Sequence, residues 1–120
     1  MDTKQLLHSQ VLDIKNSIEN GYKSQGPDYY DGQYEKGQII SGSDFLSDAL
    51  DINFTLSSNG EYLGSRILVA FGGPNIWIDT QHNTVEAYWG GDSFILNYTN
   101  DHMDIDDVCE EYCKCVISSN

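Results

Sequence analysis

The apolar positions Leu7, Val11, Ile14 and Ile18 recur at spacings of four, three and four, with Leu6 and Leu12 widening the stripe and Lys4, Asp13, Lys15 and Glu19 outside it. That period turns one side of a helix toward a core, and it predicts an amphipathic helix over 3–20. Asp2 or Thr3 supplies an oxygen for the unpaired amides of the first turn, and Gly21 takes the left-handed conformation that ends it. From 21 to 42 the period disappears. YKSQGPDYYDGQYEKGQIISG holds four tyrosines among glycine and proline breakers, which predicts a long loop with a short strand at 38–41. Ser43 then caps a short helix over 43–50, with Phe45, Leu46, Ala49 and Leu50 on its apolar side.

Beyond residue 51 the period shortens to two. INFTL, IWIDT and VEAYW alternate, YLGSRILVAF is long and mostly apolar, and FILNYT closes the series; SSNGE, GGPN, QHN and GGD separate them. Short turns join neighbouring antiparallel strands, so a β-meander is expected over 51–99. Asp101 or Asp104 begins a last helix over 103–117, its stripe formed by Met103 or Ile105, Val108, Tyr112 and Cys115 or Val116. The class is α+β: a four- or five-stranded antiparallel meander flanked by N-terminal and C-terminal helices, with a long tyrosine-rich loop, in one domain over 1–120.

Residues 72–92, GGPNIWIDTQHNTVEAYWGGD, place two tryptophans and a tyrosine between paired glycines. Alternation puts Ile76 and Ile78 on one face with Val85, Ala87 and Trp89, and sends Trp77, Asp79, Glu86 and Tyr88 to the other. If the first face is buried, the second carries aromatic anchors beside carboxylates, the make-up of a protein-binding surface. If helices cover both faces, Trp77 and Tyr88 are core residues. The glycines supply positive φ at turns, and neither GGPN nor WGGD forms a phosphate-binding loop.

Charge changes the picture most. Nineteen acids face six bases, for a net charge of −13, and no Lys or Arg lies between Arg66 and Lys114. Such a charge equals that of about 22 Å of DNA duplex, on a domain whose expected radius of gyration is about 14 Å. Few cations are available to replace phosphate counterions, which disfavours direct nucleic-acid binding and favours a basic partner. No apolar run approaches the roughly 18 residues that span a bilayer, and MDTKQLLHSQ lacks a signal-peptide layout, so a soluble cytoplasmic protein is expected.

AFGGPNIWIDTQHNTVEAYWGGD, about 25 residues, resembles a GGPNIxIDT…YWxGD motif of small acidic phage and mobile-element proteins of the anti-CRISPR and anti-restriction inhibitor kind. The resemblance implies an acidic inhibitor of a nucleic-acid-processing protein, most specifically an anti-CRISPR protein blocking an RNA-guided nuclease by nucleic-acid mimicry in a host cytoplasm. Asp101, Asp104, Asp106, Asp107, Glu110 and Glu111 would then stand at phosphate positions. Their place at a helix start also suits the helix dipole. Tyr29, Tyr30 and Tyr34, interleaved with Asp28, Asp31 and Glu35, would give a second contact, and Trp77, Asp79, Glu86 and Tyr88 a third. An immunity protein or antitoxin for a basic nuclease toxin is the alternative interaction class. A homodimer through an exposed strand edge is a further option.

The remaining chemistry is sparse. Cys109, Cys113 and Cys115 in VCEEYCKC would reach one zinc ion only if the helix ended near Cys113 and His102 or His82 completed the set. Otherwise they are reduced thiols, with Cys109 or Cys113 in the core and Cys115 more exposed. No HExxH, GxSxG or calcium-loop signature is present, and no catalytic residue or cofactor is expected.

Overall fold

A computed structural model describes residues 2–118. Helix α1 spans Thr3–Asn20, as the stripe predicts, and it buries Leu7, Val11 and Ile18. Asp2 is its N-cap: the carboxylate accepts the Gln5 backbone N–H at 2.8 Å while the Gln5 side chain accepts the Asp2 N–H at 3.1 Å. This reciprocal pair satisfies two amides that the helix leaves unpaired. Replacing Asp2 by Ala is expected to cost about 1 kcal/mol and to lower the thermal midpoint by about 4 °C, measured by circular dichroism. Gly21 ends the helix at φ 94 and ψ 144, a positive-φ extended conformation rather than the expected left-handed one.

The loop that follows holds one isolated antiparallel bridge, Lys23 with Ile39, where a strand over 38–41 was expected. Two non-glycine residues in it, Tyr30 and Asp31, have φ of +54 and +57. Helix α2 spans Gly42–Leu46, shorter than expected and capped two residues earlier, by Ser41, whose hydroxyl accepts from the Asp44 N–H, rather than by Ser43.

Five strands follow: β1 (Asp51–Leu56), β2 (Tyr62–Ala70), β3 (Asn75–Asp79), β4 (Thr84–Trp89) and β5 (Asp92–Asn97). They form one antiparallel sheet in the order β1-β2-β3-β4-β5. Ile67, Ile78 and Val85 pair in register across β2, β3 and β4, as do Ile76 and Ala87, and all are at most 2% exposed. Helix α3, Ile105–Ser118, packs on β1 and β2, and α1 packs on β4 and β5. The core comprises this aliphatic face and the two helices, and it excludes Trp77, Leu68 and Tyr88. The fold is therefore α+β, a five-stranded meander with its terminal helices against one face. No helix among the described residues is long and apolar enough to cross a membrane.

Helix α3 differs from the expected stripe. Ile105, Cys109 and Cys113, at successive spacings of four, point inward with Val108 and Tyr112 beside them, whereas Val116 is half exposed. Burial of Cys109 and Cys113 with Cys115 exposed agrees with their reading as small apolar groups of the core.

Candidate functional site

Register brings Arg66 of β2, Asp79 and Trp77 of β3, and Glu86 of β4 together on the face without helices. The Arg66 guanidinium lies 4.9 Å from the Trp77 ring centroid, and its Nη1 is 3.3 Å from Glu86 Oε1 and 3.5 Å from Asp79 Oδ2. Glu86 also accepts hydrogen bonds from the Thr84 hydroxyl at 2.9 Å and the Tyr88 hydroxyl at 2.7 Å. Asp79 accepts the backbone N–H groups of Gln81 and His82 and contacts His82 Nδ1 at 3.0 Å. Burial by itself raises the Glu86 and Asp79 carboxyls. For Glu86 the hydrogen bonds from Tyr88 and Thr84 and the charge of Arg66 outweigh it; for Asp79 the His82 ring and backbone do so. Both carboxyls consequently lie below their ordinary values. Glu86 in turn raises the Tyr88 phenol, which donates to it.

This arrangement corrects the expected role of two residues. Asp79 and Glu86 are only 6% and 9% exposed, and their lone pairs are taken up within the sheet, so they do not present free carboxylates to a partner. A buried carboxylate is stable only when paired in this way. Trp77 and Tyr88 do lie on the helix-free face, as alternation predicts, Tyr88 exposed and Trp77 partly so. Arg66, the hub of the cluster, has no signal in its own segment; only the β2–β3 register reveals it.

The loop and α3, which carry the other expected contacts, are linked through α2. The Tyr34 hydroxyl joins the loop to α2, donating to Asp44 Oδ2 at 2.6 Å, and Ser43 joins α2 to α3 through the Tyr112 hydroxyl at 3.1 Å. Asp28, Tyr29, Asp31 and Glu35 of the loop and Asp104, Asp107 and Glu111 at α3 are all exposed. Asp107 and Glu111, four residues apart, stand on the outer face of α3, opposite buried Ile105, Cys109 and Cys113. The sheet separates α3 from Trp77 and Tyr88.

Five of the expected contact residues have internal duties instead. Tyr34 is buried, because its hydroxyl also accepts the Ser41 N–H at 2.9 Å and so fixes the start of α2. Tyr30 packs edge-to-face on Tyr34 at 5.7 Å between centroids and leans on the core. Asp101 accepts the Ile105 and Asp106 N–H groups at 2.9 and 3.1 Å, opening α3, and burial raises its carboxyl despite those bonds. Asp106 accepts the Tyr62 hydroxyl at 2.7 Å. Glu110, half-buried, pairs with Lys114 at 3.3 Å.

Helix α3 continues through Cys115, so the condition for three thiols to converge is not met. Cys109 and Cys113 are buried and Cys115 is exposed. Burial pushes the Cys109 thiol up to about 11. Among the described residues no group of three or more His, Cys, Asp or Glu side chains is placed to hold a metal ion. Comparison of the chain with family models, with characterised proteins and with solved structures found no match.

Proposed function

We propose that this protein is an acidic inhibitor that occupies the basic groove of a nucleic-acid-binding protein, using the side formed by the tyrosine-rich loop, α2 and α3. The observation that carries this reading is the lack of internal neutralisation. Of 19 acids, five (Glu19, Asp79, Glu86, Glu110 and Glu111) pair with a described cation. The exposed carboxylates Asp28, Asp31 and Glu35 of the loop, close in sequence to exposed Tyr29, and Asp104 and Asp107 at α3 are outside every such pair among the described residues. Unpaired charge in water contributes self-repulsion rather than stability, so an excess of it favours a partner of opposite sign. The resemblance of residues 70–92 to small inhibitors of the anti-CRISPR kind directs the reading to an RNA-guided nuclease.

Binding of the protein to a guide-loaded nuclease is expected to weaken steeply as salt rises from about 50 to 500 mM, because the contacts are charge-steered. Added duplex DNA carrying the target sequence is expected to displace it. Affinity measured by biolayer interferometry that stayed flat with salt and indifferent to duplex would overturn the mimicry.

A further inference from the structure

A cavity of about 250 Å³ lies between α1, the loop, α2 and the end of β2, lined by Ile14, Tyr22, Tyr30, Phe45, Asp48, Ala49, Val69 and Ala70. Its chemistry is narrow. Three aromatic rings and four aliphatic side chains line it, and its one charged group, Asp48, is exposed at the rim. Tyr22 and Phe45 stand 6.0 Å apart at 51°. Tyr30 is held by the edge of Tyr34 and enters from a left-handed backbone that tyrosine seldom adopts, φ +54. Such outliers concentrate where a fold keeps a side chain for a purpose other than stability.

We propose that this cavity binds an alkylated ammonium group of about the size of trimethylammonium, with the Tyr22, Tyr30 and Phe45 rings around the cation and Asp48 opposite its charge. The negative faces of aromatic rings attract a cation, and methyl groups on nitrogen weaken its hydration enough to enter an apolar site. A bare ammonium, strongly hydrated, gains less. Anions are excluded by sign, since no cationic side chain lines the site. A hard divalent cation requires six or so oxygen ligands, and this lining offers one carboxylate and two phenols. The volume falls below the roughly 300–1,000 Å³ of pockets for drug-sized ligands, which fits a headgroup. No cation pairs with Asp48 among the described residues. The negative surroundings are also felt by Tyr30, whose phenol is raised by burial and then by Asp48. The group could be carried by a free small molecule or by a methylated lysine of a protein, and both present the same chemistry. The site does not depend on the nuclease reading, because cation binding is measured without any partner.

Amide NMR of the intact protein titrated with choline tests this, with sodium chloride at equal ionic strength as the control for bulk screening. Saturable shifts are expected at Ala49, Val69 and Ala70, absent with sodium. Asp48→Asn, an exposed and isosteric change, should weaken binding by roughly tenfold; Tyr30→Phe should retain it and Tyr30→Ala should weaken it more than Asp48→Asn does. Thermal unfolding confirms that each variant is folded. Equal binding of the neutral isostere 3,3-dimethylbutan-1-ol, no saturable shift with choline, or an unaffected Asp48→Asn would each overturn the proposal. A trimethyl-lysine peptide that binds more tightly than choline assigns the group to a protein partner; equal binding assigns it to a free cation.

Discussion

Replacing Arg66 by Met is expected to destabilise the protein by about 2–3 kcal/mol, seen as a lower urea midpoint with an unchanged slope. The Met side chain keeps the aliphatic length and removes the charge, leaving Asp79 and Glu86, diagonal neighbours on adjacent strands, without the guanidinium they share. Breaking a fully buried pair costs about 3–5 kcal/mol. Here the figure is smaller because the Arg66 side chain is 38% exposed, and water reaches one side of the pair. Loss of the contact with Trp77 adds to it. Lys at the same position should recover part of the loss, restoring charge without the planar group that stacks on the indole.

The pH dependence follows from the signs. In the wild type both carboxyls titrate below their ordinary range. They contribute stability that is full above about pH 4.5 and is lost as pH falls through the folded-state values. Without Arg66, burial acts on Glu86 with less opposition and its carboxyl rises. Tyr88 and Thr84 still hold it down, so the variant keeps a smaller part of this carboxylate stability and has less of it to lose as pH falls below about 4.5. The difference between the two proteins should be widest at pH 7 and should narrow in acid. A difference below about 0.5 kcal/mol at pH 7 would show that Arg66 does not hold the cluster together.

Periodicity made most of the architecture legible. The spacing of Leu7, Val11, Ile14 and Ile18 located α1 to the residue, and alternation placed Trp77 and Tyr88 opposite Ile76 and Val85. What it could not show is set by contacts distant in sequence. Arg66 meets Asp79 and Glu86 only through strand register, so the carboxylates looked available when they are consumed. Tyr34 is indistinguishable from exposed Tyr29 by composition, and only the hydroxyl geometry at Ser41 and Asp44 separates the two. In α3 the expected stripe runs through Val108 and Tyr112 to Cys115 or Val116, whereas the inward line is Ile105, Cys109 and Cys113. The acids were legible as a total; their division into paired and unpaired groups was not.

The position of the acids makes the proposed function separable from net charge alone. Reversing Asp28, Glu35, Asp107 and Glu111 to Lys alters the loop and α3 side, whereas reversing Asp13, Asp51, Glu61 and Asp92 alters charge elsewhere. Both sets change the net charge of −13 by the same amount. None of these eight side chains caps a helix or pairs with a buried group, so both variants should fold, with thermal midpoints within a few degrees of the wild type. If the loop and α3 side enters a basic groove, the first set puts lysines against the partner's cations, and like charges so placed cost several kcal/mol. Affinity for the nuclease should drop by at least about a hundredfold, close to 3 kcal/mol, through both slower association and faster dissociation. The second set should slow association by less than about tenfold, since it weakens long-range steering without touching the contact. Equal losses from the two sets would mean that the protein acts through its overall field and has no acidic docking side.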